Sequence, residues 1–283
     1  MKPIFCIDIT KNKNNQTLNG DELVTAKVSR LQAEQLEKAV DRVIDQEKKT
    51  KMPGWLNVVR LVLMGAFIFC FSLFASGLMG GETFAKVYAE TAVFLWTGVG
   101  SLVLWLTIAF LSGKKEKEVL TSDETQRVVA TAEQLLENVY DELHVPRNAA
   151  SMDILVFRYV LKNGQVVPKA TGIVTFMSCV CKVFTENGML CIADADQRYE
   201  IPLGAVRRIV TVNKDASIPT WNKDVPTNKP PYKQYKLRLD DYGFIHFKPY
   251  YILELEHEGQ AWSVYFPSYE LPLVEALTGH HPE

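Results

Sequence analysis

The chain has 283 residues, 47% apolar and 23% charged, a balance that excludes a disordered or collagen-like polymer and gives material for roughly two folding units. Thirty-one basic against 33 acidic residues leave a formal charge of −2, so no global attraction to nucleic acid is expected. Five cysteines, an odd number spread thinly with no cleavable leader ahead of them, read as free thiols of a reducing compartment.

Residues 1–52 read as a cytoplasmic N-terminal segment. PIFCIDIT (residues 3–10) alternates loosely like a strand, and the turn-rich KNKNNQTLNG follows. From Asp21 to Thr50, Val28, Leu31, Leu36, Val40, Val43 and Ile44 fall on roughly one helical face, and Asn19 with Glu22 has capping-box spacing.

Residues 55–113 read as a transmembrane hairpin with spans at about 57–80 and 91–112. Leu61–Gly81 and Thr91–Gly113 carry no charge, and each is long enough to cross ~30 Å of hydrocarbon at ~1.5 Å per residue. Lys48, Lys49, Lys51 and Arg60 precede the first span and Lys114, Lys115 and Lys117 follow the second, while the connecting loop holds only Lys86 between Glu82 and Glu90. Both termini are therefore expected to face the cytoplasm. Trp55 and Tyr88 suit the headgroup layer, whereas Trp96 and Trp105 lie inside the second span. Ser72, Ser76 and Gly80, and Thr97 with Ser101, recur at four-residue steps that let backbones approach, although such residues are common in any spanning helix. Neither span has an ionisable midplane group, which argues against a pump or carrier.

Residues 114–147 read as a cytoplasmic amphipathic helix. Thr121 and Glu124 have capping-box spacing, and Val128, Ala132, Leu135, Val139 and Leu143 form its apolar face until Pro146. Its charge is net −3 over residues 114–149, which favours pairing with the helix before the membrane, or with a second copy, over lying on the lipid.

From about Met152 the period changes to two, and residues 150–283 read as a β domain. Asn163-Gly164 and Asn187-Gly188 mark tight hairpins, and further strands are expected at Gln197–Ile201, Val206–Val212, Tyr235–Leu239, Tyr250–Glu256 and Ala261–Phe266, with a short helix from Ser268 to about Leu277. The fold class is thus an α+β membrane protein: a two-helix transmembrane hairpin, cytoplasmic amphipathic helices, and a C-terminal bent antiparallel sheet or partly open barrel capped by a helix.

VFTENGMLCIADADQRYEIPLGAVRRIVTV (residues 183–212), with YILELEHEGQAWSVYF and the closing helix Ser268–Leu277, resembles the central strands, last hairpin and capping helix of bacterial pleckstrin-homology-like and GRAM-like domains. The resemblance covers about 130 residues, roughly 152–278. It implies a seven-stranded bent sheet that binds lipids, peptides or proteins without catalysis. The basic cluster with which some members hold inositol phosphates has no counterpart, since the first hairpin offers only Lys162 and Lys169.

No catalytic, cofactor or metal site is expected. Cys179 and Cys181 share a strand face near Cys191 and read as core thiols, lacking the four ligands of a structural metal site; His144, His246, His257 and the pair His280–His281 stand apart. Arg207 and Arg208 are adjacent, so only one is expected to face outward on a given side. The surface candidate is the loop from Asn213 to Lys236, where Lys214, Lys223, Lys229, Lys233 and Lys236 surround Trp221 with a net charge of +3, suited to an anionic headgroup or a partner. The expected function is a membrane-anchored binding or scaffold module, its partners the lipid bilayer, a protein, or a second copy through the cytoplasmic helices. A membrane-bound enzyme using cysteine or histidine chemistry and a subunit of an oligomeric channel are the alternatives.

Overall fold

The computed structural model describes residues 2–8, 21–50, 53–80, 83–162, 165–168, 174–219, 232–240 and 242–283. The chain is α+β and divides into two compact units, one formed by Met1–Ala33 with Leu136–Glu283 and the other by Glu34–Leu135. The N-terminal residues therefore belong to the β unit, not to a separate segment.

The helical elements are α1 (Arg30–Thr50), α2 (Gly54–Met79), α3 (Phe84–Leu120) and α4 (Asp123–Glu142). Helix α1 begins later than the pattern suggests, because Asp21–Leu23 forms a 3-10 turn and Val24–Lys27 a strand. Its buried face runs through Leu36, Ala39 and Gln46, while Leu31, Val40 and Ile44 are exposed. Gln46 Nε2 donates to Glu124 Oε1 at 2.6 Å and Lys49 pairs with the same carboxylate at 3.3 Å, so α1 and α4 meet. Helix α3 starts at Phe84, which puts Lys86, Tyr88 and Glu90 in its first turns, and it runs on to Leu120. The cap of α4 is Ser122, not Thr121: the Ser122 hydroxyl accepts from the Thr125 amide, and the Thr121 hydroxyl is spent on the Lys117 carbonyl.

Helices α2 and α3 pack through one narrow stripe each. Gly98 lies against Cys70 and Gly77 against Val87 so closely that an added Cβ would stand 3.1 and 2.9 Å from those side chains. Small residues do set this approach: Gly77 and Gly98 do so, and of the expected set only Ser101 is buried with them. Ser72, Ser76 and Thr97 face outward and bond their own helix carbonyls.

The β unit contains β1 (Lys2–Pro3), β2 (Cys6–Asp8), β3 (Val24–Lys27), β4 (Ala150–Lys162), β5 (Gln165–Pro168), β6 (Val174–Thr175), β7 (Met177–Glu186), β8 (Met189–Ala193), β9 (Gln197–Pro202), β10 (Val206–Val212), β11 (Ala216–Pro219), β12 (Arg238–Leu239), β13 (Phe244–Phe247), β14 (Tyr250–His257) and β15 (Gln260–Pro267). They form three sheets in the orders β1-β15-β14-β10, β12-β13-β11-β6 and β2-β4-β7-β8-β9-β3, with β5 beside β4. Most pairings are antiparallel, while β1 on β15, β2 on β4 and β6 on β11 are parallel. Hairpin β7–β8 turns through Asn187-Gly188 and β14–β15 through Glu258-Gly259, all four residues at positive φ as a tight hairpin of this twist demands. The Asn163-Gly164 turn lies outside the described residues.

Strand β4 explains the apolar run ILVF within DILVFRYVL. Met152, Ile154 and Val156 enter one core with Tyr199, Ile201, Leu255 and Phe266, and Leu155, Phe157 and Tyr159 enter a second with Phe176, Ile218 and Phe247. A strand buried on both faces loses its alternation. After a 3-10 turn at Ser268–Glu270, α5 (Leu271–Thr278) lays Leu271, Val274 and Leu277 on the first core. The expected strand Tyr235–Leu239 is a 3-10 turn (Tyr232–Tyr235) followed by the two-residue β12, and His246 lies within β13.

Candidate functional site

Of the surface-loop residues, Lys214, Lys233 and Lys236 are described and exposed. Lys214 follows β10, Lys233 lies in the 3-10 turn, and Lys236 takes a left-handed φ of 52° before β12. Trp221, Lys223 and Lys229 lie outside the described residues. The turn is anchored at Tyr232, whose ring meets Tyr269 edge-on at 5.4 Å.

Tyr269 belongs to a polar cluster under the closing helix that no sequence motif signals. Its hydroxyl donates to Asp153 Oδ2 at 2.7 Å, and Glu270 Oε1 accepts from the Asp153 amide at 3.0 Å. Burial pushes the Glu270 carboxyl up to about 7, against the Asp153 amide bond, which pulls it down. Burial, reinforced by Asp153, also drives the Tyr269 phenol well above its ordinary range.

The three cysteines of the β unit's hairpin do not act alike. Cys179 and Cys181 share a face of β7 with sulfurs 3.7 Å apart. The hydrogen bond between the two sulfurs lowers Cys179 below the usual thiol range and, together with burial, leaves Cys181 well above it. Asp194 adds its charge to this environment, and burial pushes its own carboxyl up to about 6 although it accepts the Asp196 and Gln197 amides at 2.7 Å. Cys191 instead contacts Arg198, whose Nη2 donates to its sulfur at 3.4 Å. Among the described residues no group of three or more His, Cys, Asp or Glu is placed to hold a metal.

The histidines serve local structure. His246 bonds Asp240 at 2.8 Å, which with the Phe244 and Tyr242 amides holds that carboxyl below the usual range; His281 bonds Glu275 at 2.8 Å. Arg207 and Arg208 are both exposed, contrary to strict alternation, because a bulge between Val206 and Arg208 adds a residue to β10. They pair with Glu256 and Glu254 of β14.

Asp194 and Glu270 make the β unit's stability depend on pH. Unfolded, their carboxyls titrate near 3.8 and 4.5; folded, they keep their protons to about 6 and about 7. Between about pH 4 and 7 the folded chain binds the extra protons, so stability falls as pH rises through that window and is flat above it. The loss is roughly 2 kcal/mol at Asp194 and about 1 kcal/mol at the more open Glu270. Asp194→Asn and Glu270→Gln keep the acceptor oxygens and remove the titration. Thermal unfolding of the full chain in detergent is expected to show both variants raised at pH 7.5 and much less raised at pH 4.5.

No protein-family model, curated protein or solved structure matches this chain.

Proposed function

We propose that the protein is a membrane-anchored binding module with both termini in the cytoplasm, whose β unit, similar to a pleckstrin-homology-like or GRAM-like domain, recognises a protein partner or a lipid without turning over a substrate. One observation supports the anchor above the others. Outside their shared stripe, α2 and α3 present Leu61 (75% exposed), Val93 (77%), Trp96 (62%) and Phe110 (72%). Two helices with this much outward apolar surface would form a patch far beyond the few hundred Å² a soluble monomer tolerates, whereas lipid covers it at no cost. The basic residues Lys48, Lys49, Lys114, Lys115 and Lys117 flank one end of the hairpin, which supports the orientation. The exposed Lys214, Lys233 and Lys236 support an anionic surface as the ligand of the loop that also carries Trp221, Lys223 and Lys229.

The full chain is expected to stay in the membrane pellet after alkaline carbonate extraction. A cysteine placed at the exposed Tyr242 (87%) is expected to react with a membrane-impermeant maleimide only after the cells are opened. Release of the chain into the supernatant would overturn the anchor, and labelling in sealed cells would overturn the orientation.

A further inference from the structure

We propose that Arg60, Asn57 and Trp105 bind the phosphate of a membrane phospholipid, with the groove beside them receiving the start of an acyl chain; this rests on the membrane reading above. Arg60 projects from α2 onto α3, where its guanidinium carbon lies 5.5 Å from the centre of the Trp105 ring. Its Nε is buried and has no hydrogen-bond acceptor. No acidic residue occurs anywhere in α2, and in α3 none occurs between Glu90 and Glu116. A guanidinium with five fixed donors, an aromatic face beneath it and, among the described residues, no carboxylate paired with it is matched by a tetrahedral anion with several acceptor oxygens.

Two further features choose a lipid over a soluble anion. Arg60 and Asn57 open into a groove of about 480 Å³ continued by Leu61, Met64, Gly65, Ile68 and Trp105, and an added Cβ at Gly65 would meet nothing within 4 Å. This is apolar space running away from the cation along the outward faces of the hairpin. The depth also fits: from Arg60 to Met79, α2 rises about 28 Å, close to the ~30 Å of a hydrocarbon core. Arg60 therefore stands at the boundary where lipid phosphates lie, with the ring of Trp105 packed beside it.

The test uses the full chain in non-ionic detergent and native mass spectrometry, with phosphatidylglycerol, diacylglycerol of the same acyl chains, or inorganic phosphate added. One phosphatidylglycerol is expected to be retained per chain, diacylglycerol and inorganic phosphate at least tenfold more weakly. Arg60→Gln is expected to reduce lipid retention about tenfold and Arg60→Lys less, since an ammonium lacks the fork. Gly65→Leu keeps the cation but fills the groove, and is expected to weaken phosphatidylglycerol several-fold. Equal retention by Arg60→Gln, diacylglycerol held as firmly as phospholipid, or inorganic phosphate bound equally well would each overturn the site. Resistance of the same variants to carbonate extraction is read separately: a carbonate-resistant chain that holds no lipid refutes this site alone, whereas an extractable wild-type chain refutes the anchor.

Discussion

A fragment beginning at residue 150 is expected to lose cooperative unfolding, whereas residues 1–33 joined through a flexible linker to residues 136–283 are expected to keep it. The fragment contains nearly every strand, yet it lacks what closes them. Ile4, Phe5 and Leu23 are 0, 1 and 4% exposed within the first core, and Cys6 is buried in the second. Phe5 meets the fully buried Tyr199 edge-on at 5.1 Å. Val139 and Leu143 from the end of α4 are 0% exposed. Each such side chain contributes about 1.5–3 kcal/mol by leaving water, so losing five of them removes on the order of 10 kcal/mol, comparable with the whole stability of a domain. Truncation also uncovers three backbone edges: Lys2 pairs with Trp262, Cys6 with Phe157 and Val24 with Tyr199. In the full chain Phe5→Ala alone is expected to cost about 3–5 kcal/mol. Circular dichroism melts and the dispersion of amide proton resonances decide it; an equally sharp transition in the 150–283 fragment would show that the N-terminal strands are ornament.

The same residues mark the limit of what local patterning reveals. Charge-free runs of spanning length announce α2 and α3 as two helices long and apolar enough to cross a membrane. Strand β10 lies where alternation places it, and β14 and β15 extend only a residue or so beyond it, because their turns are glycine turns whose φ values few other residues adopt. PIFCIDIT reads as one strand but is two, broken at Ile4–Phe5, and each half joins a different sheet through partners some 150–260 residues away. No local period encodes so distant a pairing. Likewise Asp21–Lys27 has an acceptable helical pattern, and the antiparallel edge offered by β9 overrides it. The surface lysines are visible in composition. The dithiol on β7 shows in its two-residue spacing, but the opposite shifts of its two thiols and the neighbouring Asp194 depend on which side chains pack above it. Arg60 stands out in sequence only as a flanking positive charge; its orphaned Nε and the ring of Trp105 come together through the antiparallel packing of α2 and α3.

Arg198 was equally invisible, and its removal is expected to be the most damaging single polar substitution in the β unit. Its side chain is 8% exposed and gathers partners from four segments. Nη1 donates to the carbonyls of His144 at 2.9 Å and Leu143 at 3.3 Å. Nη2 reaches Glu186 at 2.8 Å and Glu200 at 2.7 Å, and the guanidinium carbon lies 5.0 Å from the centre of the Phe184 ring. The carbonyls are the ones that α4 leaves over: His144 turns the chain at a left-handed φ of 54°, and the Val145 amide bonds back to Tyr140, as at a helix end closed by a reversed residue. Arg198 thus takes the place of solvent for a buried helix terminus while balancing two carboxylates. Arg198→Met keeps the apolar stem but strands both carbonyls and leaves Glu200, 28% exposed, with no cation. A cost of about 3–5 kcal/mol follows. Arg198→Lys supplies charge without the planar fork, so it is expected to recover less than half. Adding Glu200→Gln to Arg198→Met should return about 1–2 kcal/mol by removing the stranded charge. Urea unfolding of the full chain in detergent at pH 7 measures all three; a loss below about 1 kcal/mol in Arg198→Met, or no recovery in the double variant, would mean that water meets these groups and that the clamp contributes little.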